Sequence, residues 1–83
     1  MAKGRWEVGI RRQVAVGPGV REIRIHTLIE HRVLYVAHFA EAVYVLHAFE
    51  KRSRKTPKRD VEFAEQRHRA LIRQRQLTGL TGG

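Results

Sequence analysis

From Val20 to Lys51 apolar and polar positions alternate with a period of two, and from Pro57 onward the period lengthens to that of a helix. In Val20-Arg-Glu-Ile-Arg-Ile-His-Thr27, Ile23 and Ile25 share one face, and Glu22, Arg24 and His26 share the polar one. A short connection over 28–30 leads to a second run, His31–Phe39. A tight turn at Ala40-Glu41, without ideal hairpin chemistry, leads to a third, Ala42–Glu50. Connections this short predict an antiparallel meander. The second and third runs are apolar on both faces. Val33, Tyr35, Ala37 and Phe39 oppose Leu34 and Val36, and Val43, Val45 and Phe49 oppose Tyr44, Leu46 and Ala48. Strands of this kind expect cover on both sides.

Before the meander, residues 1–19 are mixed. Trp6, Val8 and Ile10 alternate as in a short strand, and Gly17-Pro18-Gly19 ends any regular element. After it, Thr56-Pro57 predicts a helix start, with a hydroxyl cap followed by proline at the first helical position. Asp60 and Glu62 suit the positive end of the helix dipole. The helix is predicted over 57–75, with Val61, Ala64, His68, Leu71 and Ile72 as its buried stripe, and 78–83 as a frayed tail. The expected fold is therefore α+β: one domain over 1–83, with an ill-defined segment 1–19, a meander over 20–51 and the helix. These make a small antiparallel three- to four-stranded sheet with a C-terminal helix. One helix covers one face of the sheet. The other needs residues 1–19, a second copy in a homodimer, or a partner protein.

Composition narrows the setting. Eighty-three residues hold one domain, and without cysteine there is neither a disulfide framework nor a thiolate metal site. No apolar run approaches the roughly 18–20 residues needed to cross a bilayer, and the first residues lack the apolar core of a secretory signal. A cytoplasmic protein without membrane association is expected. Charge changes the picture most: 17 Lys and Arg against 8 Asp and Glu, net +9, predict polyanion binding. Six of the nine residues from Lys51 to Arg59 are basic. Only one helix is predicted, which disfavours a helix-turn-helix DNA-binding module. His26, His31, His38 and His47 do not repeat at a ligand spacing, so neither metal nor cofactor is expected. Ser53, the only serine, has no base at a defined spacing.

Three segments in order resemble the RelE/HigB superfamily of bacterial toxins, especially its phage-derived branch: Gly17-Pro-Gly-Val-Arg-Glu-Ile-Arg-Ile25, His31-Arg-Val-Leu-Tyr-Val-Ala37 and Val43-Tyr-Val-Leu-His-Ala-Phe-Glu-Lys51. Lys55-Thr-Pro and the helix after it fit the same branch, so the resemblance covers about residues 17–75. It implies a compact sheet-and-helix toxin of a type II toxin–antitoxin system. Such a protein cleaves mRNA on the ribosome without metal and is neutralised by an antitoxin, often of helix-turn-helix type. Relatives begin with a helical hairpin before the Gly-Pro-Gly step. Here 16 residues precede it, so that hairpin is expected to be missing or reduced.

Metal-free RNA cleavage activates the 2′-hydroxyl against its own phosphate, so it needs cations on the phosphoryl oxygens and groups that move protons. The resemblance implies Arg24 and Arg32 as basic positions of its motifs. Arg32 is either a transition-state stabiliser or a surface strand-end arginine paired with Glu22 or Glu30, and Arg24 is either catalytic or a cross-strand ion-pair partner. Lys51 joins the catalytic candidates, with Arg52, Arg54, Lys55 and Lys58 as RNA contacts. Histidine carries protons near neutrality. His47, in the family-like Leu-His-Ala-Phe stretch, is either that group or a core histidine held by a hydrogen bond. The alternative function is a shortened, non-catalytic relative that binds RNA or an antitoxin.

Overall fold

The computed structural model describes residues 7–52 and 55–79, with side chains from residue 9. Strands β1 (Glu7–Arg12), β2 (Val20–His26), β3 (Glu30–Val36) and β4 (Tyr44–Glu50) precede one helix, α1 (Lys58–Leu77). The strands lie in chain order, each antiparallel to the next, and form the α+β meander that the periodicity predicts. Residues 7–12 do not cover a face. They pair with β2 and widen the sheet by a strand. Trp6, Arg54 and 80–83 lie outside the described residues.

Each connection has a local cause. Between β1 and β2 the Gln13 N–H donates to the Val20 carbonyl at 2.9 Å, and Gly19 takes φ +79°, the left-handed region open to glycine. Between β2 and β3 the Thr27 hydroxyl donates to the Ile29 carbonyl at 2.9 Å and accepts from the Ile29 N–H at 3.3 Å. The β3–β4 connection is not the expected tight turn. β3 ends at Val36 and β4 begins at Tyr44, so Phe39 does not stand on the face of Val33 and Tyr35 but joins the core from the loop.

The register assigns the faces. On the α1 side, one rung joins Val20, Val36 and Tyr44, the next joins Arg11, Glu22, Leu34 and His47, and a third joins Gly9, Arg24, Arg32 and Phe49. The register shifts between Leu34 and Tyr35, and Leu46 is the extra residue of a bulge. Beyond the bulge the alternation of β4 inverts. His47 and Phe49 turn inward and Ala48 outward, unlike a strand read with unbroken alternation. The Leu46 carbonyl accepts from Arg67 of α1 at 3.2 Å. Val16, Val20, Leu34, Val36, Phe39, Leu46 and Ala64 form the core, with Val61, Leu71 and Ile72 packed against it. Full burial stabilises each such aliphatic side chain by about 1.5–3 kcal/mol.

Helix α1 begins one residue later than expected. Pro57, at φ −56° and ψ 141°, occupies the cap position, and Thr56 does not cap it, since no side chain bonds the first turn. The Pro57 carbonyl instead accepts from Asp60 and Val61 at 3.0 and 3.1 Å. The far end is held by Arg75, whose Nε donates to Glu41 Oε2 at 2.7 Å while its guanidinium lies 3.5 Å over the Phe39 ring. The helix covers the apolar end of the inner face, and the outer face carries no helix among the described residues.

Candidate functional site

The second and third rungs of the inner face hold the polar cluster. Arg32, 4% exposed, donates from Nη1 to Glu22 Oε1 at 3.1 Å and from Nη2 to Glu30 Oε2 at 2.6 Å. Both carboxylates that the strand-end reading offered are its partners, but the arginine is enclosed under the helix side of the sheet and not on the surface as expected. Glu22 is fully buried, and Arg11, half-exposed, approaches the same Oε1 at 3.9 Å. The face of β2 that looked polar in sequence is thus the one turned toward the helix. An enclosed charge is tolerable only when paired, and the Glu22–Arg32 pair meets that demand.

Arg24 stands beside Arg32 across the β2–β3 ladder. Its guanidinium lies over Gly9, where a Cβ would come within 2.9 Å of Nη2, so the bare glycine makes the room. Lys51 extends the β3–β4 ladder, its N–H donating to the Glu30 carbonyl at 2.8 Å. Burial, and then the positive charge of Arg32, push its ammonium below the ordinary lysine pKa, with Glu22 and Glu30 opposing. Among the described residues, the buried Nε atoms of Arg24 and Arg32 and Oε2 of Glu22 have no hydrogen-bond partner, two donors and an acceptor that water can satisfy.

His47 neighbours the cluster on the Glu22–Leu34 rung. Its Nε2 lies 2.7 Å from Asp60 Oδ1 in the first turn of α1. Its ring stacks between Phe49 and Phe63, with centroids 5.1 and 5.0 Å away. Arg67 covers the Phe63 ring at 4.4 Å. A carboxylate accepting from Nε2–H leaves Nδ1 as the free base, the arrangement that suits proton transfer.

The fold therefore brings Arg24, Arg32, Lys51 and His47 to one side of the sheet. The proposed RNA contacts are spread along the rim. Arg52 reaches Glu50 at 3.2 Å, Lys58 reaches Glu62 at 3.9 Å, and both are highly exposed. Lys55 is exposed, and Arg54 is not described. Sequence reasoning missed Asp60 as the partner of His47, the burial of Glu22, and Arg11 as a fourth cation beside Arg24, Arg32 and Lys51. It read Asp60 only as a helix-dipole residue. No group of three or more metal-ligand side chains is gathered among the described residues, and no described helix is long and apolar enough to cross a membrane.

The fold and this face define a small basic α+β protein with a cationic, histidine-bearing sheet surface. The chain matches the family described as phage derived protein Gp49-like (DUF891) over residues 2–69 and belongs to it. The family is associated with toxin–antitoxin systems. No curated protein and no solved structure matches the chain.

Proposed function

We propose that the chain is the toxin of a type II toxin–antitoxin pair, a metal-independent endoribonuclease that cuts mRNA, with the ribosome presenting the substrate. One observation carries the reading: a histidine–carboxylate pair, His47 and Asp60, stands one rung from the cationic cluster of Arg24, Arg32 and Lys51. Family membership supports it. Arg24, Lys51 and Arg11 hold the scissile phosphate and offset the charge that gathers on its oxygens. Arg32, shielded by Glu22 and Glu30, anchors the positive field from below. His47 Nδ1 takes the 2′-hydroxyl proton while Asp60 stabilises the imidazolium; the 2′-oxygen bonds to phosphorus as the P–O5′ bond breaks, leaving a cyclic phosphate, and the departing 5′-oxygen takes a proton from water. Phe63, 42% exposed, and the basic 51–59 segment extend the RNA surface. A cognate antitoxin, of helix-turn-helix type in the RelE/HigB pattern, restrains the protein in the cytoplasm.

The test is mRNA cleavage in a reconstituted translation reaction containing a chelator selective for transition metals, which spares the Mg²⁺ of the ribosome, with Lys51→Met and Arg24→Ala alongside and circular dichroism confirming each fold. Ribosome-dependent cutting that survives the chelator and fails in both variants establishes the enzyme. RNA binding by a folded wild-type chain that does not cut assigns the protein to the non-catalytic alternative, a reading the double neutralisation of Arg32 favours.

A further inference from the structure

The outer sheet face is built in three cross-strand rows. The middle row, Ile10–Ile23–Val33–Ala48, is aliphatic across all four strands. On one side of it runs Arg12–Arg21–Tyr35–Val45. On the other side, next to Ala48, a shallow depression of about 420 Å³ opens between Ile25, Val33 and Glu50. Ile10 is 57% and Val45 61% exposed. The water-facing side of an antiparallel sheet is ordinarily polar; here Arg12, Arg21, His31 and Glu50 flank an unbroken aliphatic row.

The charges identify the occupant. Arg12 and Arg21 face each other directly across β1 and β2, are exposed, and have no carboxylate within salt-bridge distance among the described residues. Like charges directly opposite destabilise a sheet, so the pair awaits negative charge. A second copy is poorly suited to supply it. Each chain carries net +9, and Glu50, the carboxylate on this face, is already engaged by Arg52. Four strands at about 4.8 Å spacing give an aliphatic row ~14 Å long, which about ten helical residues span at 1.5 Å each.

We propose that this face is the docking surface for an amphipathic helix of a partner protein. The apolar stripe of that helix seats on the Ile10–Ile23–Val33–Ala48 row, and its acidic flank neutralises Arg12 and Arg21. The inference rests on the toxin–antitoxin reading for the existence of a partner, but not on RNA cleavage. The surface lies on the side of the sheet opposite Arg24 and Lys51, so a partner helix there leaves the cationic face open.

The experiment uses isotope-labelled full-length chain and three synthetic helical peptides: a leucine stripe flanked by glutamates, the same stripe flanked by lysines, and the glutamate peptide with its stripe leucines replaced by glutamine. Expected are saturable amide shifts on the outer rows with the glutamate peptide alone. Arg12→Glu/Arg21→Glu is expected to weaken that peptide about tenfold and to transfer preference to the lysine peptide. No saturable binding of the glutamate peptide overturns the proposal. Shifts centred on Arg24, Lys51 and His47 overturn it in favour of general polyanion attraction. A dimer in sedimentation that Val33→Glu dissolves overturns it in favour of a second copy. The doubly reversed variant keeps every residue of the cationic face, so the cleavage assay on it separates failure of this surface from failure of the enzyme reading.

Discussion

Arg32 Nη1 and Glu22 Oε1 meet at 3.1 Å with side chains only 5% and 1% exposed, an ion pair enclosed within a thin sheet-and-helix fold. Such a pair contributes little net stability, because desolvation consumes most of the Coulombic gain, yet breaking it strands a buried charge. Arg32→Ala is expected to cost about 3–5 kcal/mol in urea denaturation. The Arg32→Met/Glu22→Leu double variant is expected to lose much less. Equal losses in the single and double variants would show that the pair is not the enclosed unit described.

The 2.7 Å contact between His47 and Asp60 links the bulged strand to the first turn of α1. Under the proposed mechanism His47→Gln lowers cleavage by about 10²–10⁴-fold, the range for loss of a general base. Asp60→Asn lowers it less, since the amide still reaches the ring but no longer offers the carboxylate charge beside it. A folded His47→Gln protein with undiminished cleavage would restrict His47 to stacking between Phe49 and Phe63.

Gly17 is buried against α1. A Cβ built there lies 2.6 Å from His68 Nδ1 and 2.7 Å from Cε1. Gly17→Ala therefore forces the turn and helix apart, at a cost of about 1–3 kcal/mol. Thermal unfolding should register the loss, and adding His68→Ala should recover part of it. If the double variant loses the sum of the two single losses, the contact is not the cause.

Acid titration tests the Arg75–Glu41 clamp. The Arg75 guanidinium, with help from the Tyr44 hydroxyl, holds the Glu41 carboxyl down at about 2 from an ordinary 4.5. A carboxyl depressed in the folded state binds its proton first in the unfolded chain. Its contribution is thus fully present above pH 4.5, shrinks below that and is gone once pH falls through about 2. Glu41→Gln should remove that part of the pH dependence of stability between these limits while leaving the neutral region flat.

His68 tests a second window. Burial, and then the charge of His38, push its imidazole below the ordinary 6.5. The unfolded chain is protonated first, so stability falls as pH drops through 6.5. His68→Phe should flatten that decline in denaturation midpoints between neutral and mildly acidic pH. An unchanged slope would place the titrating group elsewhere.

Much of this was readable residue by residue. Alternation over Val20–Thr27 and His31–Phe39 located β2 and β3, although β3 starts at Glu30 and stops at Val36, and the spacing of Val61, Ala64, His68, Leu71 and Ile72 located the packed stripe of α1. The placing of β1 followed from Ile10 and its neighbours only as a strand, not as an edge of the same sheet. Other features were hidden because they are made by partners distant in sequence. Glu22 could be named as a partner of Arg32, but its complete burial and the approach of Arg11 follow only from the folded sheet. Asp60 reads as a dipole residue until the helix sets it against His47, 13 positions earlier.

The elements, their order, the basic character and the residues available for chemistry are legible along the chain, because they depend on local periodicity and on charge, which travel with it. Which face of the sheet α1 covers, where the ladder slips at Leu46 and which cations are sheathed by carboxylates emerge on folding. Those outcomes are set by register and by the competition among side chains for one small enclosed volume, and neither is a property of any single segment.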